Sequence, residues 1–335
     1  MVIALSILDQ SPVPSGSTAA EAVRDTLALA RAADRLGYRR YWLAEHHNTT
    51  SMAGSAPEIL AACVAAQTSA IRVGSGGVLL THYSPLKVAE TFRMLEVLFP
   101  GRIDLGVGRA DGSDAPAVAA LQAGRDAPGE EDYPDLLADL VAFLDGAHGP
   151  DHRYAGVRAM PETPGAPEVW VLGSSSYGGR LAARSGLPFS FAHFVSPKFG
   201  SQVMAAYRRQ FQPSRRCPGP RGSVGVSVVC AETDAEAERL ATSQDVWHLR
   251  PEGARRGELL SWEEAEGYRA TELELELLAQ HRSRRVVGAP DRVHAALTTL
   301  AATYGVDELV VRTVCHDPAD RLRSYQLLAQ VFALA

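Results

Sequence analysis

Between Ile71 and Arg109 the chain reads IRVGSGGVLLTHYSPLKVAETFRMLEVLFPGRIDLGVGR, and this stretch admits few folds. The apolar run Ile71 to Leu80 predicts a strand, Ser84-Pro85 opens a helix, and Ile103 to Val107 predicts a second strand. Proline in a first helical turn forfeits no needed donor, and Pro100-Gly101 stops the helix before the next strand. Strand, helix and strand over this length make a βαβ unit, whose two strands run parallel. Inside the first strand, Gly74-Ser75-Gly76-Gly77 interrupts the apolar pattern. Glycines in such a place mark a bulge, or a point where a ligand presses on the backbone.

The same alternation runs through the chain. Further strands are expected at Val2 to Leu8, Arg40 to Ala44, Glu168 to Leu172, Pro188 to Phe194, Ser223 to Cys230 and Glu308 to Val314, with amphipathic helices between them. Asp151 to Pro167 reads as irregular, with room for a short hairpin, and His248 to Arg285 reads as a charged, partly helical insertion after strand seven. Eight strands alternating with helices, without a repeat or an interdomain linker, predict a single α/β domain over residues 1–335, a (β/α)8 TIM barrel. A doubly wound sheet is the weaker alternative, because no GxGxxG follows the first strand.

Composition bounds the function. At 335 residues with 46% hydrophobic and 21% charged residues, the chain has ample material for one large core. A net charge of −6 argues against nucleic acid or an anionic membrane as the main partner. No apolar run approaches the ~20 residues of a membrane span, and the opening MVIALSILDQ has no basic leader region, so it reads as strand one. Cys63, Cys217, Cys230 and Cys315 are scattered without a CxxC pair, as expected of reduced thiols in a cytoplasmic protein.

In such a barrel the chemistry collects at the C-terminal ends of the strands. That places Glu45-His46-His47, Gly76 to Leu80, Gly108-Arg109, Gly173 to Gly178, His193 and Cys315-His316 around one mouth. Gly173 to Tyr177 opens a helix with three hydroxyls and free backbone N–H groups, a ready anion site to which Arg109 would add a charge-assisted contact. N-capping serines beside a surface arginine are the plainer reading of the same residues. His46 and His47 are adjacent at a strand end and point to opposite faces. That argues against a shared metal site, and no HExxH is present, so no metal is expected. One histidine faces the mouth and the other packs outside. For His193 and His316, lining the pocket and plain packing both stay open.

The runs YWLAEHHN (Tyr41 to Asn48), RVGSGGVLL with its following Ser84-Pro85, PGRIDLGVGRA (Pro100 to Ala110), GSSSYGGRLAARSGLPFSFAHF (Gly173 to Phe194) and DELVVRT (Asp307 to Thr313) carry a resemblance. In this order they resemble the bacterial luciferase-like flavin monooxygenases over nearly the whole chain. Within that family the look is nearest to the subgroup typified by a monooxygenase of aromatic polyketide (mensacarcin) biosynthesis.

The resemblance implies a two-component enzyme that takes reduced FMN from a separate flavin reductase, acts with oxygen on a small-molecule substrate, and forms a homodimer. It implies a non-proline cis peptide at Gly76-Gly77 lying against the flavin ring. Arg109 then grips the cofactor phosphate, and Ser174, Ser175, Ser176, Tyr177 and Gly178 wrap it. His193 is placed with this cofactor-binding set. His46 shapes the flavin–oxygen chemistry; Glu45 stands beside it in the catalytic pair, orienting neighbours by hydrogen bonds. The insertion, about 248–285, corresponds to a mobile lid. Gly108 stands where luciferase has a reactive cysteine, and Ser174 where it has a glutamate, so light emission is not implied. The substrate expected by subgroup analogy is bulky and apolar or aromatic, such as a polyketide of antibiotic biosynthesis. Two other readings stay open: an F420-dependent oxidoreductase on the same barrel, and a non-catalytic flavin-binding subunit.

Overall fold

The computed structural model describes residues 2–109, 114–123, 129–249 and 259–334. Its strands are β1 (Ala4–Asp9), β2 (Arg40–Leu43), β3 (Arg72–Leu79), β4 (Ile103–Gly108), β5 (Glu168–Gly173), β6 (Phe189–Ala192), β7 (Gly222–Cys230), β8 (Arg285–Gly288) and β9 (Glu308–Arg312). Strands β1 to β6 pair in sequence order, β6 pairs with β7, β7 with β9, and β9 with β1, all in parallel. The ring closes as an eight-stranded (β/α)8 barrel, and β8 lies outside it.

The ninth strand departs from the expected eight, and β7 explains it. Pairing with β6 ends at Gly225, while Ser227 pairs with Arg312 of β9 on one edge and Arg285 of β8 on the other. The upper half of β7 therefore has an edge that β6 leaves open, and β8 fills it. A four-residue strand directly after HRSR carries too little alternation to be told from the insertion.

Local chemistry explains the helix limits. Thr18 and Glu21 form a capping box on the helix Ala19–Arg35. Pro57, Pro85, Pro290 and Pro318 sit in first turns. Gly146, Gly186 and Gly305 take the left-handed conformation just past helix ends. The helix Ala115–Leu121 was not expected: it buries no side chain, so it leaves no apolar periodicity to read. Residues 151–167 contain turns and bends and no hairpin.

The N-terminal face of the barrel is plugged by charge. Arg40 donates to Asp104 Oδ2 and Glu168 Oε2, each at 2.8 Å, and to Glu308 Oε1 at 2.7 Å. Ser6 reaches Glu308 at 2.6 Å, and Trp42 Nε1 reaches Asp104 at 2.9 Å. These residues open β2, β4, β5 and β9, so one buried guanidinium ties four strand starts together. Above it Trp42 and Trp170 pack edge to face at 5.4 Å with Leu8 and Val310. Beyond this layer, at the strand C-termini, the barrel opens into a cavity.

A cavity at the strand C-termini as the candidate active site

That cavity is about 330 Å³, and its lining includes Leu8, Trp42, His46, Gly76, Gly77, Arg109 and Phe194. Its apolar floor is the upper surface of the tryptophan layer, and its polar groups gather at two places on the wall.

The wall between them is β3. Its register against β4 shifts between Gly76 and Val78, and the Gly76-Gly77 peptide is cis. Both glycines are sterically required. A Cβ on Gly76 would lie 2.7 Å from Leu8 Cδ1 and 2.8 Å from Trp42 Cβ, and one on Gly77 would lie 2.7 Å from Gly106 O and from Leu172 Cδ1. The bulge thus turns bare backbone into the cavity.

One polar place lies at the end of β2. His46 lines the cavity, its backbone N–H donates to Gly54 O at 2.8 Å, and its Nε2 lies 3.2 Å from Gln10 Nε2. His47 is turned to Glu45, with Nε2 2.7 Å from Oε1, and its ring lies 6.5 Å from that of His82. The buried Glu45 also accepts Leu79 N–H at 3.0 Å and Tyr83 O–H at 2.6 Å. Burial first, then this contact with Glu45, holds the Tyr83 hydroxyl well above the usual tyrosine range. Glu45 therefore fastens the end of β2 to the end of β3, and three donors occupy its carboxylate.

The second polar place joins the ends of β4 and β5. The Arg109 guanidinium stands 4.6 Å from the Tyr177 ring centroid. Ser174, Ser175, Tyr177 and Gly178 line the cavity here, at the start of the helix Ser176–Ser185. Tyr133 joins them from the first turn of the helix Tyr133–Asp145. The hydroxyls of Tyr133 and Tyr177 are buried and have no hydrogen-bond partner among the described residues. Two orphaned hydroxyls beside an arginine, two serines and a helix N-terminus form a donor set that a phosphate or similar anion completes.

Three expected residues fall elsewhere. Ser176 is the exposed first residue of its helix and is outside the lining. His193, in the turn just after β6, is also outside the lining: its Nδ1 lies 2.8 Å from Tyr304 Oη, while its neighbours Ala192 and Phe194 line the cavity. Burial lowers its pKa there. His316 is bonded to Ser15 Oγ at 3.1 Å and does not line the cavity.

Tyr133 and Gln10 were not anticipated. Gln10, a polar residue one position beyond β1, carried the same strand-end signal as the others. Tyr133 is separated from Arg109 by a long Gly-, Asp- and Ala-rich stretch whose sequence gives no direction.

The insertion reaches this end of the barrel. Ser15 N–H donates to Leu259 O at 2.8 Å, Ser15 Oγ reaches Glu264 at 3.1 Å, and Leu259 packs with Met52, Trp247 and Val314. Residues 250–258 of the expected lid lie outside the described residues. Away from the cavity, Asp139, His148 and His152 approach one another. His152 Nδ1 accepts Tyr154 N–H at 3.2 Å, so its Nε2 carries the proton directed at Asp139 Oδ1, 3.1 Å away. That leaves His152 no lone pair for a metal. No described helix is long and apolar enough to cross a membrane.

A closed (β/α)8 barrel with its polar groups at the strand C-termini is the architecture of a TIM-barrel enzyme. The profile of the luciferase-like monooxygenases matches residues 3–308, and the chain belongs to that family of enzymes. The crystal structure of apo-MsnO8 superposes with a TM-score of 0.90 at 44% identity, covering 99% of each chain. The uncharacterized protein YceB of Bacillus subtilis (strain 168) is 43% identical over 99% of this chain and 100% of its own. The N-acetyl-S-alkylcysteine monooxygenase of the same organism is 37% identical over 100% and 99%. At 21% and 11% identity, the oxygenating constituent of 3,6-diketocamphane monooxygenase from Pseudomonas putida, in complex with FMN, and an F420-dependent secondary alcohol dehydrogenase, each with a TM-score of 0.72, share the fold. The former covers 99% of this chain and 98% of its own, the latter 99% of both.

Proposed function

We propose that the protein is the oxygenating component of a two-component monooxygenase, using reduced FMN from a separate reductase to oxygenate a bulky apolar or aromatic metabolite. The observation that carries this reading is the pairing of a backbone bulge with an anion corner in one cavity. Arg109, Ser174, Ser175, Tyr133 and Tyr177 would hold the phosphate, and Gly76-Gly77 would support the flat ring without a side chain in its way. Bound reduced FMN would supply the activation of dioxygen.

The remaining work belongs to the protein. His46 presents an imidazole at the cavity wall for hydrogen bonding or proton transfer near neutral pH. Glu45 keeps the β2 and β3 ends in fixed relation, so that His46 and the bulge do not drift apart. The apolar floor of Leu8, Trp42 and Phe194 excludes water from that wall. At about 330 Å³ the cavity lies near the lower end of the ~300–1,000 Å³ range of cofactor and ligand pockets. A cofactor would fill much of it, leaving a substrate to bind outward, toward the insertion that docks on Ser15. In this reading the insertion is a lid. The resemblance of the motif runs to the subgroup of aromatic polyketide biosynthesis supports an aromatic polyketide as the substrate class. Exposed Ile59, Met94 and Leu98, on adjoining helices, support a homodimer, and the unpaired cysteines suit the cytoplasm.

The test supplies reduced FMN from an unrelated reductase, offers a panel of apolar aromatic compounds under ¹⁸O₂, and reads label in the product by mass spectrometry. Incorporation of one labelled oxygen supports the reading. No incorporation across the panel, together with F420-dependent hydride transfer, would replace it with the deazaflavin alternative.

A further inference from the structure

Gln10 joins two groups that lie 36 and 302 positions away along the chain. Its side chain is buried just past the end of β1, 8% exposed. Its Oε1 accepts from Arg312 Nη1 at 3.1 Å, and its Nε2 lies 3.2 Å from His46 Nε2.

The chemistry of these atoms dictates the direction of each bond. A guanidinium only donates, so the amide oxygen must face Arg312 and the amide nitrogen must face His46. That nitrogen also only donates, so His46 Nε2 is an acceptor and carries no proton. In the neutral ring the proton is then on Nδ1. Arg312 is itself held: its guanidinium lies 4.8 Å from the Phe194 ring centroid, and it is 6% exposed. The amide cannot turn over without setting its NH₂ against that cation.

We infer that Gln10, oriented by Arg312, is a positioning residue that fixes His46 as the neutral, Nδ1-protonated imidazole. Adding a proton at Nε2 would break the Gln10 bond and set two donors against each other. His46 is thereby kept as a hydrogen-bond donor through Nδ1. The consequence for catalysis rests on the proposed role of His46; the tautomer does not.

The experiment is ¹⁵N NMR of histidine-labelled full-length protein, with the His46 ring assigned by its loss in His46→Gln. The expected wild-type signature is a protonated Nδ1 and a bare Nε2, favoured about tenfold, the worth of one hydrogen bond. Gln10→Glu puts a carboxylate opposite Nε2 and should move the proton there. If that variant does not fold, Arg312→Met, which frees the amide to turn, should abolish the tenfold preference. A proton on Nε2 in the wild type, or an unchanged tautomer in the variants, would overturn the inference. Reversal of the tautomer with unchanged coupling of reduced FMN to product would support the inference and remove His46 from the proposed mechanism.

Discussion

The Arg109 guanidinium stands over the ring of Tyr177, 4.6 Å from its centroid. This contact joins the residue after β4 to the first turn of the helix after β5, and is worth about 0.5–2 kcal/mol depending on desolvation. In the proposed reading it holds the arginine at the phosphate site before any ligand arrives, which would lower the ordering cost of binding.

Arg109→Ala should therefore weaken FMN binding by roughly 10- to 150-fold, the equivalent of the ~1.5–3 kcal/mol of a lost charge-assisted bond. Its thermal unfolding should stay close to wild type. Fluorescence titration and calorimetry measure the two effects, and unchanged FMN affinity in a folded variant would remove Arg109 from the site.

Tyr133→Phe should separate stability from binding. Its hydroxyl is buried without a partner among the described residues, so deleting it should leave the apo-protein unchanged or more stable by about 1 kcal/mol. FMN affinity should fall about 10-fold or more, because a bond to a charged phosphate is lost. A variant that binds FMN as well as wild type would show that this hydroxyl serves no ligand.

His46→Ala should keep the fold and bind FMN, yet release hydrogen peroxide in place of oxygenated product. The loss expected for general acid–base help is about 10²–10⁴-fold, read in single turnover with chemically reduced FMN. His47→Ala should mainly lower stability, since His47 is bonded to Glu45. The opposite pattern would transfer the role to His47.

Much of this arrangement was legible in the chain because it follows from backbone periodicity. His46 and Arg109 stand just past strand ends, the β3 glycines lie in the C-terminal half of their strand, and strand order alone brings these parts to one mouth. His193 was not legible in this way: β6 ends at Ala192, so His193 stands in a turn, where a strand expected from Pro188 to Phe194 gives no direction. Tyr133 and the Arg312–Gln10 contact depend on loop direction and side-chain reach, which no local pattern encodes. β8 escaped for a different reason: it answers an open edge of β7, a property of the closed ring rather than of its own four residues.

The charge plug at the barrel base predicts an acid limit. Burial pushes the Glu168 carboxyl up, but the charge and hydrogen bond of Arg40, with Arg221 and Arg72, more than offset this and hold it at about 2. Because the folded value lies below the unfolded one, the stabilisation is fully present above the usual carboxylate range and is lost as pH falls toward 2. Glu168→Gln should cost about 2–3 kcal/mol at neutral pH. The difference from wild type should vanish near pH 2, measured by urea unfolding across pH. A constant difference at every pH would mean that Glu168 acts by packing alone.

The central claim, that this cavity is built for reduced FMN, is tested most directly by an anaerobic tryptophan-fluorescence titration with reduced FMN and, in parallel, reduced F420. Saturable, one-to-one binding of reduced FMN is expected, at least tenfold tighter than F420 and weakened in Arg109→Ala. Preference for F420, or reduced-FMN binding indifferent to Arg109, would contradict it.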